Sequence, residues 1–383
     1  MALTNARVVS RPTEEPSEPS TVVIRAGRIA RIGPAIRPPP DDAILDLSGG
    51  WVTAGFWNTH VHFTEHGWAR SADAPASVMQ AGLAAMLTSR GFTSVVDLGS
   101  DPRSTLALRA RVDSGEIAGP RIYTSGTPLY PEAGVPYYLK SALPPEIVAI
   151  LPQPGTSNQA ESAVDLSLSG GSDLIKLFTG SWVSRGQVRP MKEVVATAAV
   201  AAAHRESRLV FAHPSDFEGT RVAAASGVDV LAHAPDATAG IDDSLLIALV
   251  RNGTAMSPTL KMFATTVSSD PGYLGPIYGL VRRFRELGGT LLFGTDVGYM
   301  TDYTTEGEFE GLTASGLSPG DILAMLTTNP VARLGLDASE GIVAEGSPAD
   351  LALLAGDPTH SVEALSRVTH TIRQGRLIWS SEP

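Results

Sequence analysis

The sequence predicts an α/β fold: a (β/α)8 TIM barrel over residues 51–339, flanked by a small β-sandwich built from both termini, residues 1–50 and 340–383. Three observations point there. Through residues 51–339 short apolar segments alternate with helical patterns, the signature of parallel βα units. Eight segments of each kind fit a closed barrel better than an open doubly wound sheet. Both chain ends are instead rich in short strands, and neither end could bury a core alone.

At the N-terminus, residues 21–32 read as two strands joined at Ala26-Gly27, a hairpin signal. The polar, Pro-rich stretch 11–20 before them reads as a long mobile loop, 38–42 as another loop, and 43–47 as a further strand. Barrel strands are then expected at 51–62, 93–98, 121–125, 173–178, 209–213, 228–233, 254–260 and 290–294. Helices are expected at 77–89, 104–114, 158–168, 191–206, 218–225, 243–251 and 277–287. A last helix over 319–334 holds Asn329-Pro330 in its interior, which predicts a kink or two pieces. Gly91, Gly170, Gly227, Gly253 and Gly288 follow helices, as helix termination favours. Residues 129–155, rich in Pro and Tyr, are too irregular for a simple βα loop and are expected over the barrel mouth. At the C-terminus, 349–354 and 368–372 read as strands, and Gln374-Gly375 turns into a last one.

Composition narrows the function classes. The 29 basic and 40 acidic residues leave a net charge of −11. That argues against nucleic-acid and anionic-membrane partners, because binding by counterion release needs clustered Lys and Arg. The chain has no cysteine, so disulfides and Cys-ligated zinc are excluded, and a metal would need His, Asp, Glu or Lys-derived ligands. No apolar run approaches the roughly 18 residues of a membrane span, and residues 1–7 lack an apolar run long enough for a secretory h-region. The expectation is a cytoplasmic protein acting on a small molecule, with a homo-oligomer left open.

Four of the eight histidines fall at the C-terminal ends of predicted strands, where barrel active sites gather: His60, His62, His213 and His233. Residues i and i+2 of a strand share a face, so His60 and His62 can chelate one ion. A lone His-x-His is a weak signal. It gains weight from His213 and His233, one βα unit apart, and from Asp296, which ends the eighth apolar segment. A carboxylate in that setting must be hydrogen-bonded, paired or metal-bound. Lys176 interrupts the apolar run Asp173-Leu-Ile-Lys-Leu-Phe178. An unmodified ammonium there would argue against a metal site, since like charge and desolvation both disfavour it beside dications.

Taken in order, Gly55-Phe-Trp-Asn-Thr-His-Val-His62, Lys176, Ala212-His213, Ala232-His233 and Gly294-Thr-Asp296 resemble the amidohydrolase superfamily. The match is closest to its imidazolonepropionase-like and Xaa-Pro or Xaa-Arg dipeptidase-like branch, and it covers nearly the whole chain. The resemblance implies a Lys176 carboxylated by CO2. A carbamate removes the conflict just described, being anionic with two oxygens to bridge cations. It further implies a binuclear centre. His60, His62 and Asp296 would hold the more buried ion and His213 and His233 the more exposed one, with carboxylated Lys176 and a hydroxide between. The donor set suits Zn²⁺, with Mn²⁺, Co²⁺ or Fe²⁺ compatible. The implied reaction is hydrolysis of an amide-type C–N bond in a dipeptide, an N-acyl amino acid or a cyclic amide. In it, Asp296 would take the proton of the attacking hydroxide and pass it to the leaving nitrogen.

Two other functions belong to the same scaffold: deamination or C–O or P–O hydrolysis on the same centre, and a non-catalytic barrel. His213-Pro-Ser-Asp216 does not reproduce the His-x-x-Glu of the mononuclear deaminases, and the ligand set is complete, which disfavours a non-catalytic barrel. Substrate contacts are expected among His66, Tyr137, Tyr138, Arg185 and Tyr299, although loop packing or plain exposure would also explain each. Tyr137 and Tyr138 are candidates for an oxyanion and Arg185 for a carboxylate. His204, His360 and His370 are read as having no catalytic part.

Overall fold

In the computed structural model, described over residues 1–381, both chain ends enter one sheet. Numbered along the chain, its strands are β1 (Ala2–Val8), β2 (Ser20–Arg25), β3 (Arg28–Gly33), β4 (Ile44–Asp46), β5 (Trp51–Ala54), β15 (Leu351–Leu354), β16 (Val368–Arg373) and β17 (Arg376–Ser380). Their order is β17-β16-β15-β5-β1-β2-β3, with β4 against β1. Ala26 and Gly27 (φ 47° and 76°) close the β2–β3 hairpin, and Gln374 and Gly375 (φ 50° and 72°) close β16–β17. Left-handed pairs of this kind match the twist of the flanking strands. Leu3, Val22, Ile29, Val52, Leu351 and Ile372 from both ends are buried together. The 11–20 stretch, expected to be a free loop, is tied back to β1: Ser17 N donates to Val8 O (2.8 Å) and Val8 N to Ser17 Oγ (3.0 Å).

The rest of the chain is mixed α/β. Strands β6 (Phe56–Val61), β7 (Phe92–Asp97) and β8 (Arg121–Thr124) form a parallel three-stranded sheet. Strands β9 (Ile175–Phe178), β12 (Val210–His213), β13 (Val230–Leu231) and β14 (Ala255–Met256) form a parallel four-stranded one. Between them in sequence, β10 (Gly180–Ser184) and β11 (Gln187–Pro190) make a hairpin that periodicity does not predict.

The eighth expected strand, 290–294, is not a regular strand. Its backbone bonds nonetheless run both ways. Met256 N donates to Thr290 O (2.9 Å) and Leu292 N to Met256 O (2.8 Å) on one side. On the other, Thr59 N donates to Phe293 O (2.8 Å) and Asp296 N to His60 O (2.9 Å). Beyond it, Asp296 (φ 61°) and Gly298 (φ 97°) leave the extended region. Below the strand ends, Val96, Leu174, Phe211, Val230, Ala255 and Leu292 form one buried cluster, a dry floor for whatever lies above.

The expected helices form, 243–251 at the expected bounds and the others with shifted ends, several set by side-chain caps. Asp101, Asp216 and Asp242 each accept from the first turn of their helix, and Thr156 with Gln159 makes a capping box. The helix expected over 319–334 breaks at Thr327 into Pro319–Leu326 and Thr328–Arg333. Pro330 therefore sits in a first turn, where a missing N–H costs little. The seventh strand is shorter than expected because Thr259 (φ 53°) turns the chain into a helix, Leu260–Thr266. Residues 129–155 contain two short helices, Tyr137–Ala142 and Pro145–Ile150. No helix among the described residues is long and apolar enough to cross a membrane.

Candidate metal centre

The last turns of β6 and the 290–297 segment put three electron-rich atoms together. His60 is fully buried and its Nδ1 lies 2.7 Å from Ala232 O. His62 Nδ1 lies 2.8 Å from Gly99 O. A carbonyl only accepts, so in both rings Nδ1 carries the proton and Nε2 a lone pair. Those two Nε2 atoms are 3.2 Å apart. Asp296 Oδ1 lies 3.2 Å from His60 Nε2 and 2.9 Å from His62 Nε2. Oδ1 is closed off from solvent and has no hydrogen-bond partner.

This close approach has a backbone requirement. A Cβ on Gly294 would strike Ser257 Oγ and His60 Cβ, and one on Gly298 would strike His62 O. Asp97, which the sequence reading missed, supports the arrangement from behind. Its Oδ1 accepts from Ser100 Oγ (2.6 Å) and Gly99 N (3.2 Å), fixing the residue whose carbonyl holds His62. An Asp ending an apolar strand was the available signal, as for Asp296.

The other two histidines close the ring. His213, at the end of β12, stacks on Phe178 at 4.6 Å and 18°. His233 follows β13, and its ring centroid lies 4.5 Å from those of both His60 and His213. His233 Nδ1 lies 2.7 Å from Thr259 Oγ1, whose own proton goes to Pro258 O at 2.8 Å. Thr259 therefore accepts, and His233 Nε2 is again left with its lone pair. Ligand-capable atoms of His60, His233 and Asp296 all lie within 4.8 Å of one another.

Electrostatics agree with neutral rings at His60, His213 and His233, while Asp296 draws His62 the other way. Burial pushes His60 and His233 well below the usual imidazole range and His213 down to about 3. For His62 burial opposes protonation, but the adjoining Asp296 carboxylate outweighs it and raises the ring. Burial would raise the Asp296 carboxyl, yet His60, His62 and Lys176 hold it well below the usual carboxylate range. Lys176 on β9 is 2% exposed, with no acidic group within 4 Å of Nζ among the described residues. Burial pushes its ammonium down to about 7, against the pull of Asp296.

All six residues line one cavity of about 1860 Å³. His66, Tyr137, Tyr138, Arg185 and Tyr299 line it too, with His66 and Arg185 on its exposed rim. Tyr138 packs against Tyr137 and Tyr299 at 5.6 and 5.8 Å. Trp182, Asp236, Phe263 and Tyr273 are wall residues that sequence reasoning did not single out. Asp216 caps the helix Phe217–Ser226 through Gly219 N (2.9 Å). Away from the cavity, His204 pairs with Asp229 (2.8 Å), His360 is exposed beside Asp357, and His370 lies on β16 of the terminal sheet.

Comparison with known proteins follows the same lines. The amidohydrolase family model matches residues 51–378. Among solved structures, a Xaa-Pro dipeptidase with bound methionine superposes with a TM-score of 0.84 at 22% identity, covering 99% of each chain. The A. niger ochratoxinase gives 0.79 at 20% identity, covering 100% of this chain and 97% of that one. Molinate hydrolase gives 0.78 at 18% identity over 98% and 94%. At these identities the likeness is one of fold. A dihydroorotase of Anaeromyxobacter dehalogenans (strain 2CP-C) is 45% identical over 47 residues, which are 12% of this chain and 11% of that protein.

Proposed function

The chain belongs to the amidohydrolase family, and from that premise we propose that it is a binuclear metal-dependent hydrolase cleaving an amide-type C–N bond in a small molecule. The observation that carries this is the convergence of two imidazole lone pairs on an unpartnered, buried Asp296 oxygen. Three acceptors at such spacing repel one another unless a cation sits among them. His60, His62 and Asp296 are the proposed ligands of one ion, and His213 and His233 of a second. Lys176, as a carbamate, is the proposed bridge. A buried amine with no acidic partner, and so with its proton weakly held, suits reaction with CO2. Zn²⁺ fits the imidazole and carboxylate donors best, with Mn²⁺, Co²⁺ or Fe²⁺ compatible.

When bound, such ions supply an acidified water and a polarised substrate carbonyl. The protein supplies the rest. Ala232 O, Gly99 O and Thr259 Oγ1 fix the imidazole tautomers. Asp296 accepts the proton released during attack and returns it to the departing nitrogen. Tyr137, Tyr138 and Tyr299 are candidates to steady the oxyanion, and His66 and Arg185 to meet the substrate at the rim. The likeness to a Xaa-Pro dipeptidase favours dipeptides among the candidates, ahead of N-acyl amino acids and cyclic amides. Deamination is less well supported, because Asp216 is engaged as a helix cap.

The two parallel sheets and segment 290–297 are proposed to make one barrel over 51–339, flanked by the domain of terminal strands. Backbone bonds on both sides of 290–297, and from Asp173 N to Thr124 O (2.8 Å), support that closure. The acidic balance fits a cytoplasmic enzyme with no nucleic-acid partner.

Metal analysis followed by substrate profiling tests the function. Two equivalents of divalent metal and chelator-sensitive release of amine from dipeptides or N-acyl amino acids are expected. Trace metal with chelator-insensitive activity would refute it, and ammonia release from amino-heterocycles alone would favour a deaminase.

A further inference from the structure

Asp236 lies three residues beyond His233 and is anchored to both histidine-bearing strand ends. Asp236 N and Ala237 N both donate to Ser215 O (3.1 and 3.0 Å), two residues after His213. Its carboxylate faces the same cavity as the histidines. Oδ1 accepts from Trp182 Nε1 and Oδ2 from Tyr273 OH, each at 3.2 Å. Both donors are neutral, and among the described residues no Lys, Arg or His comes within 4 Å of this carboxylate. The charge that acts on it most is the like charge of Asp216, and burial raises its carboxyl to about 6.

Such a group lacks a counter-charge. Shielded carboxylates elsewhere in the structure have one: Asp229 pairs with Arg333 and His204, and Asp173 with Arg109. Asp97 and Glu308 have no close cation, but neither lines the cavity. Two cavity-lining carboxylates are thus partly shielded with no cation within 4 Å among the described residues: Glu65, held by Tyr303 OH, and Asp236, which alone of the two is held by two wall residues and tied to the histidine-bearing strand ends. Trp182 and Tyr273, which hold it, also line the cavity, and aromatic rings beside a carboxylate add attraction for an organic cation.

We propose that Asp236 is a specificity-determining residue that receives a protonated nitrogen of the substrate, so that the amides cleaved carry an ammonium or guanidinium group. This rests on the hydrolase reading above. The cation can be the free α-ammonium of a dipeptide or a basic side chain.

The test uses the metal-loaded enzyme and dipeptides with lysine or norleucine at one position, each with the α-amine free or acetylated. A charge-assisted hydrogen bond predicts kcat/KM higher by about ten- to a hundredfold for the cationic member of the pair that matters. The side-chain pair and the α-amine pair report separately which nitrogen is read. Asp236→Asn should remove that preference while keeping metal content and Tm, and Asp236→Glu should restore part of it. No preference in the wild type, or one that survives in D236N, overturns the proposal while leaving the hydrolase reading intact. If no member is cleaved, the dipeptide choice fails, and Asp236 is judged by binding alone. Arginine amide and citrulline amide, each with the α-amine free or acetylated, would then be titrated against Trp fluorescence. Tighter binding of a cationic probe that is lost in D236N supports the proposal; equal binding of all four overturns it.

Discussion

His60 Nε2 and His62 Nε2 face each other at 3.2 Å while their Nδ1 atoms are held by the carbonyls of Ala232 and Gly99. Neither ring can turn its lone pair away without giving up a buried hydrogen bond. The pair is thus set for a cation before one arrives.

The first prediction follows. Stripping metal with a chelator lowers Tm, and Zn²⁺ restores it in a concentration-dependent way, since a ligand of the folded state alone stabilises by mass action. Asp296→Asn removes the anionic member and the proton carrier together. It should blunt the Zn²⁺ response and lower kcat by roughly 10²–10⁴-fold, the usual scale for a general acid–base group. A Tm indifferent to chelation and to Zn²⁺ would contradict this.

Lys176 gives the second. A buried ammonium facing two cations is untenable, whereas a carbamate is a ligand. Lys176→Ala should lose bound metal and activity, and short carboxylic acids should restore a fraction of both by standing in for the carbamate. Intact mass spectrometry of the metal-loaded wild type under native conditions should find the CO2 adduct. Full metal occupancy and activity in K176A would rule out a bridging role.

A third concerns His233, whose tautomer depends on Thr259. Thr259→Val keeps the shape but leaves the Nδ1 proton without an acceptor. Supporting hydrogen bonds of this kind contribute about 10–100-fold to metal affinity. T259V should therefore weaken metal binding on that scale in a competitive chelator titration, and Thr259→Ser should recover most of it. Equal affinities for T259V and wild type would show that the hydroxyl does not hold the ring.

The proposed ligand residues were legible in the sequence because strand periodicity puts His60 and His62 on one face, and because a charge stands out in the apolar run around Lys176. Asp296 was legible for the same reason. Thr259 was not. Its role depends on a left-handed backbone between Pro258 and a helix whose first residue, Leu260, reads as the end of a strand. Asp236 lies in a loop without periodicity, and its partners Trp182 and Tyr273 come from a hairpin and a helix that only the fold brings together. The 290–297 segment was visible as an apolar run. That it bonds β14 and then β6 in turn, and so never forms a regular ladder, depends on both neighbours at once.

Glu308 carries a prediction about pH. Its Oε2 accepts from Lys261 N (2.8 Å), while Oε1 is buried with no partner. The Lys261 ammonium goes instead to Asp302 and Thr304. Burial raises the Glu308 carboxyl to about 7, with the Lys261 N–H and charge opposing. In the unfolded chain it titrates in the ordinary glutamate range, near 4.3. Between those values the folded protein binds the extra proton, so this group's contribution to stability falls as pH rises through that window and levels off above about 7. The slope cannot exceed about 1.4 kcal/mol per pH unit. Glu308→Gln stays neutral throughout and should lack this decline. Urea unfolding of the two metal-loaded proteins from about pH 5 to about pH 8 reads the difference directly. The stability of E308Q relative to wild type should grow across the window; curves that stay parallel would mean that Glu308 is already ionised in the folded protein at the acid end.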